Sequence, residues 1–557
     1  MLRFKPFILI NLFVVLLSGC GPEPSQTIDK PKHVGYLRIP IQEPISTIDP
    51  GLTFTNDSVE FIEQLFLGLT DFDPKNDYEV VPELATEWQV SEDGTIYTFR
   101  LRQDVKWTRS GEPVTAHDIV WAIQRNISPK TKALAANTLY ILKNAETIHQ
   151  GQSEDISSLG VRAIDDYTVE FTLEHAVGYF PALVSLGIYR PLPRKAIEEI
   201  EKQGKDWTDP KYIQTNGSYQ LFEWKKGDQI ILKKNPSYYE ADKVNMPEVR
   251  YYIIPDDVLG LAMYENNKLD IMGGEEYLPF PTKEIPRIIS HAALRREVFE
   301  SISFCTEWYG FNTQKPPMNN PLVRKAIAAA IDKQTLNDFI IDTVHSPATT
   351  ITRPPIFGAV DPDDPETKPV GIPFDPPQAR QWLAEAGYPD GKDFPADVFL
   401  LHHTLPDLKR VAKAIQIMLK HHLNIDIQTG DRGLDFWDYL EAIEQPNTPH
   451  MFRMNWCADY PDANNWLYEA FHSKKGYNWI GWENLEFSEV LEKAQQSTRP
   501  TERKQLYHRA EQILNEETAA IVPIYFTKVR TLVKPWVKGW YSMPFGGQHI
   551  RDWSLEN

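Results

Sequence analysis

The chain changes texture near residue 305, and that change limits the folds open to it. Before it, short apolar stretches come in pairs around turn residues. Trp88-Gln89-Val90 and Tyr97-Thr98-Phe99-Arg100-Leu101 flank Glu92-Asp93-Gly94. The Asp-Gly pair supplies the positive φ that a tight hairpin needs. Val161 to Ile164 and Val169 to Leu173 flank Asp165-Asp166, and Tyr219 to Trp224 and Ile230 to Lys233 flank Lys226-Gly227-Asp228. This predicts antiparallel sheet. A strand around Tyr36, Leu37 and Ile39 comes first, followed by an amphipathic helix with Val59, Ile62, Leu65, Phe66 and Leu69 at helical spacing.

After 305 the pattern is strand, helix, strand. Asn320-Pro321 offers an N-cap with proline at the first helical position, and Val323, Ala326, Ile327, Ala330 and Ile331 form a stripe. Asp375-Pro376 starts another helix that stops at Gly387. Val398 to Leu401, Leu408 to His421, and Ile425 with Ile427 read as one βαβ unit. The Pro-rich passage 347–377 predicts a surface run. A polar helix over 501–517 and strands at Ile521 to Phe526 and Arg530 to Val533 close the chain. At 557 residues the chain exceeds one hydrophobic core, so two to four domains are expected. There is no internal repeat.

The formal net charge of −19 argues against nucleic acid and against charge-driven binding to anionic lipid. Twelve per cent of residues are aromatic, 15 of them Trp, which suits either large cores or apolar recognition clefts. At the N-terminus, MLRFKPFILINLFVVLLSGC has a basic start and an apolar run from Phe7 to Leu17. That run is shorter than the roughly 20 residues a membrane span needs and fits a signal-peptide core. It ends in Leu17-Ser18-Gly19-Cys20, which looks like a bacterial lipobox, with residues 1–19 removed and Cys20 carrying lipid. Residues 20–33 then form a tether. Cys305 and Cys457 remain. In an oxidising compartment they are expected to pair, the alternative being two buried thiols.

Chemistry-bearing motifs are missing. No GxSxG elbow, HExxH pair, Walker loop, GxGxxG fingerprint or CxxC is present. The adjacent pairs His402-His403 and His421-His422 diverge on a strand or a helix, so no metal and no cofactor is expected.

WQVSEDGTIYTFRLRQDVKWTRSGEPVTAHDIVWAIQR (88–125) resembles the signature region of ABC-transporter solute-binding proteins of family 5, oligopeptide-binding branch. So do TNGSYQLFEW (215–224), NTQKPPMNNPLVRKAIAAAID (312–332), FDPPQARQWLAEAGYPDG (374–391) and IVPIYFTKVRTLVKPWVKG (521–539). The blocks keep family order across nearly the whole chain. The resemblance implies an α/β fold of the periplasmic-binding-protein-like class II, with two hinged lobes plus an extra α/β domain. The expected divisions are lobe I at 34–82, 205–304 and 520–557, the extra domain at 83–204, and lobe II at 305–519. The resemblance also implies a monomer that delivers short peptides to a permease powered by ATPase subunits, on the outer face of a membrane that it touches only through its lipid.

Within MNWCADYPDANNW (454–466), the block CADYPD is similar to the family segment whose acid takes the ligand's α-amino group. This implies Asp459 as the ammonium acceptor, with Trp456 and Cys457 beside the ligand backbone and Cys457 bonded to Cys305. Read from the residues alone, an internal salt bridge for Asp459, with Trp456 and Tyr460 as core rings, is the favoured reading. Arg453, six residues upstream, resembles a family arginine that meets short-peptide termini. Trp437, Trp308 and Tyr140 are candidate cleft aromatics. Glu444 stands in a stretch where relatives carry an arginine. Other relatives bind murein peptides, nickel chelates or haem, so the substrate is not given by the fold. The rival from another class is a secreted peptide hydrolase, which the missing nucleophile and zinc motifs count against.

Overall fold

The computed structural model describes residues 35–53, 56–340, 344–361, 368–434, 436–444 and 448–556. The signal-like run and Cys20 lie outside them. Among the described residues no helix is long and apolar enough to cross a membrane.

The first body is built on the sheet of β1 (Leu37–Ile41), and its outlying parts come next in the chain. The helix Asn56–Leu65 leads into the hairpin of β2 (Thr70–Asp73) and β3 (Glu79–Pro82). A second sheet, the extra domain, contains β4 (Ala85–Val90), β5 (Ile96–Leu101), β6 (Val161–Asp165) and β7 (Thr168–Thr172), in the order β4-β5-β7-β6. Gly94, at φ +72°, makes the β4–β5 turn. Tyr97, Phe99, Val169 and Phe171 point inward, and the helix Ala116–Ile127 covers them with Ile119, Ala122 and Ile123. β8 (Tyr219–Lys225), β9 (Gln229–Lys234) and β10 (Glu248–Ile253) complete the first sheet, β10 lying parallel to β1. The C-terminal segment is tied to this body by buried ion pairs: Arg551 bridges Glu63 and Asp71, and Arg190 holds the other oxygen of Glu63 at 2.6 Å.

The second body carries most of a seven-stranded sheet. Its strands are β11 (Ile271–Gly273), β12 (Val298–Phe311), β13 (Ser346–Pro347), β14 (Phe399–Leu401), β15 (Gln428–Gly430), β16 (Met451–Cys457) and β17 (Ile521–Val533), in the order β11-β17-β12-β16-β14-β15 with β13 on β17. β14 and β15 are parallel and joined by the helix Pro406–Leu423, which is the βαβ unit read from the sequence. The expected separate strands 521–526 and 530–533 are one continuous strand. Its middle lost the apolar signal because Phe526 to Arg530 are only half-buried.

β12 and β17 run from one body into the other, and their ladder breaks on the way. Val298–Ile302 pair with Leu532–Lys528, and pairing resumes only at Thr306–Phe526. Buried Arg353 fills the gap, its guanidinium donating to the carbonyls of Ser303, at 2.9 Å, and Thr527. Cys305 sits in the same gap and is bonded to Cys457, directly opposite it on β16.

Candidate ligand-binding site

The stretch after β16 does not continue as an edge strand. The Ala458 N–H still reaches Phe304 O, but by Asp462 the chain has turned into the helix Ala463–Phe471. Asp462 caps that helix by accepting from Asn464 N at 3.0 Å. The same carboxylate is gripped by buried Arg503 at 2.6 and 2.8 Å and by the Tyr507 hydroxyl at 3.0 Å. The helix start is therefore fixed. Asn465 and Glu469, four residues apart, share one face of it.

Asn465 organises the site. Its Oδ1 accepts from Trp456 Nε1 at 2.9 Å and from the Asp459 backbone at 3.3 Å. Its Nδ2 donates to Asp459 Oδ2 at 3.0 Å and to Glu469 Oε2 at 2.9 Å. The other Glu469 oxygen accepts from the Tyr460 hydroxyl. Among the described residues neither Asp459 nor Glu469 has an ion-pair partner within bonding distance. Water reaches Asp459, yet the protein crowds it on most sides. Burial pushes its carboxyl above the ordinary range and the Asn465 amide draws it part-way back. Glu469 is raised to about 8, first by burial and then by the charge of Asp459.

Both carboxylates line a chamber of about 870 Å³ between the extra domain and the second body. Leu134, Thr138, Tyr140, Glu146, His175 and Tyr179 form one wall. Trp456, Asp459, Tyr460, Tyr468, Glu469, Lys475, Tyr477 and Gln495 form the other. The chamber is thus acidic, with aromatic sides.

Of the residues singled out in the sequence, Asp459, Trp456 and Tyr140 meet at this chamber; the Tyr140 hydroxyl is 2.8 Å from His149 Nδ1. Cys457 follows the lining residue Trp456 in sequence and is bonded to Cys305, but does not itself line the chamber. Arg453 lies elsewhere, in a two-pronged ion pair with buried Glu307. Trp308 corrects the cleft expectation. It is 0% exposed on β12 and packs edge-on against Phe471 (5.2 Å between centroids) and Phe452 (6.0 Å), so it is a core ring. Trp437 belongs to the helix Phe436–Ile443, and its side chain lies outside the described residues. Asn465, Glu469 and Tyr179 were not singled out. An N-capping Asp followed by Trp466, Leu467, Ala470 and Phe471 at helical spacing was the available signal.

Two bodies joined by a broken two-strand ladder, with a charged chamber between domains, define a lobed solute-binding protein. Residues 79–478 match the bacterial extracellular solute-binding proteins, family 5 Middle, and the chain belongs to that family. It is 31% identical over 509 residues to the periplasmic oligopeptide-binding protein OppA of Escherichia coli K12, covering 89% of this chain and 88% of that one. It is 30% identical over 500 residues to the probable deoxycholate-binding periplasmic protein YgiS of the same strain, covering 88% of each. The unliganded open form of MppA, a periplasmic murein tripeptide binding protein, superimposes with a TM-score of 0.81 at 27% identity, covering 94% of this chain and 97% of that one.

Proposed function

We propose that this protein captures short peptides outside the cytoplasm by their amino terminus and hands them to an ABC permease, held at the membrane through lipid on Cys20. The observation that carries the reading is Asp459. It is a carboxylate at the chamber wall with a single side-chain hydrogen bond and no cation beside it among the described residues. Water solvates this carboxylate while the chamber is open, and a charged hydrogen bond to it becomes stronger once closure excludes that water. A peptide ammonium supplies the cation. Trp456, pinned by Asn465, and Tyr140 from the opposite wall stand ready to flank the ligand backbone. The two bodies would close about the break between β12 and β17, driven by the ligand's greater affinity for the closed form. No bond is made or broken, and the protein is not an enzyme on this reading.

An anionic steroid of the kind named for YgiS would face the Asp459 carboxylate, which has no compensating cation within bonding distance among the described residues, with the Glu469 carboxyl beside it. The chamber's charge therefore favours the peptide. Native mass spectrometry of the purified protein, followed by calorimetry with a free tripeptide and its N-acetyl form, tests the reading. Binding of the free form and loss on acetylation are expected. Equal affinity for both would remove Asp459 from the ammonium role.

A further inference from the structure

The ammonium acceptor has a second acid beside it that the capture of one amine does not use. Asp459 Oδ2 and Glu469 Oε2 both accept from Asn465 Nδ2, at 3.0 and 2.9 Å, so they are no more than about 6 Å apart, twice a hydrogen-bond length. Both face the 870 Å³ chamber, and Glu146 adds a third acid from the far wall. The basic lining groups are Lys475 and His175, and burial together with Lys475 depresses the imidazole toward its neutral form. Arg453 offers no relief, because Glu307 already occupies its guanidinium. The chamber can hold more positive charge than one ammonium brings.

The position of the excess charge identifies its match. Once Asp459 holds the α-ammonium, the side chain nearest to Glu469 is that of the peptide's first residue, which branches one bond from the amine. Tyr140, Tyr179, Tyr468 and Tyr477 line the same space with flat faces suited to a long alkyl stem and a cationic head. We propose that Glu469 is a specificity residue that selects peptides beginning with lysine or arginine, by pairing with the cationic head of that first side chain. This rests on the peptide reading above. Asn465 is then the positioning residue that holds the two acids at a fixed spacing for the two cations of one amino-terminal residue.

The test is isothermal calorimetry on the mature wild-type protein and on Glu469→Gln, with Ala-Ala-Ala, Lys-Ala-Ala, Arg-Ala-Ala and a citrulline-first tripeptide, the neutral near-isostere of arginine. Wild type is expected to favour the Lys- and Arg-first peptides by about 10- to 100-fold, the span of one charge-assisted contact. Citrulline should fall back to the alanine level. Glu469→Gln should shrink the preference to within about twofold while still binding Ala-Ala-Ala; a merely structural role would lower all four affinities together. Equal affinity of wild type for all four peptides overturns the selectivity and leaves the peptide reading standing. So does a preference that survives in Glu469→Gln. If no peptide binds, the peptide reading falls and this inference falls with it.

Discussion

Tyr179 of the extra domain lies flat against Tyr460 of the second body, ring centroids 5.2 Å apart and planes 11° from parallel. Gln495 reinforces the contact by donating to the Tyr179 hydroxyl at 3.1 Å. The backbone also comes close here, since a Cβ on Gly178 would sit 2.8 Å from Ser497 O. A carbonyl cannot yield as a flexible side chain can. Gly178→Ala is therefore expected to push the two walls apart, costing about 1–3 kcal/mol of stability and weakening ligand binding. Chemical denaturation reads the first effect, and small-angle scattering should show a larger radius of gyration.

Removing the ammonium acceptor should be felt in binding and hardly in folding. Asp459→Ala is expected to weaken peptide affinity by about 2–5 kcal/mol, the range for truncating one partner of a desolvated charge pair. Calorimetry measures the loss, and an unchanged melting temperature shows that the fold survives. An unaltered affinity in a folded variant would exclude Asp459 from the site.

The Arg453–Glu307 pair predicts the opposite balance. Glu307 is buried and Arg453 covers it, so Arg453→Ala leaves a lone carboxylate inside the protein and should cost about 3–5 kcal/mol. The double change Arg453→Met with Glu307→Leu should recover most of that loss, because apolar residues of similar volume carry no stranded charge. Urea unfolding of the three proteins decides it.

Binding should depend on pH through Glu469, which is raised to about 8 in the empty chamber. Below that value the free carboxyl is protonated, and a cation pairing with it must displace the proton. Affinity for a Lys-first peptide should therefore rise from pH 6 to about 8, by up to about tenfold per unit for one proton released. Above about 8 the peptide's own α-amine loses its charge and affinity should fall again. The groups facing Glu469 are Asp459, Asp462, Tyr460, Asn465 and Tyr477, with Lys475, His175 and Glu146 further around the lining. Titrations in buffers of different ionisation enthalpy count the protons. Glu469→Gln should flatten the rising limb.

Cys305 and Cys457 enclose a loop with a sequence separation of 152. Opening it by Cys305→Ser with Cys457→Ser should cost roughly 4–5 kcal/mol by the chain-entropy argument. Denaturant midpoints of the two proteins measure that cost, and alkylation of unreduced protein should label neither cysteine.

Local signals carried the hairpins and the βαβ unit into view. Asp93-Gly94 demands a positive φ and receives one, and the stripe on the helix Pro406–Leu423 lies between two parallel strands as its period requires. Two kinds of feature stayed hidden. Trp308 was a cleft candidate through its place in a family-like block, and such a match does not say which face of a strand meets water; both faces of β12 are covered at that point. Glu469 was passed over because it lies ten residues from Asp459. Only the turn at Asp462, fixed by Arg503 from a distant helix, folds the two acids onto one asparagine.

The interrupted ladder between β12 and β17 has a mechanical consequence. Bending at that level breaks no bond of the β12–β17 ladder, because the carbonyls of Ser303 and Thr527 are already turned to the guanidinium of Arg353. One rigid cation bound to both crossings can act as an axle, letting the halves swing while the strands stay at a constant spacing. A joint of that kind leaves the choice between gaping and shut to whatever occupies the space between the halves.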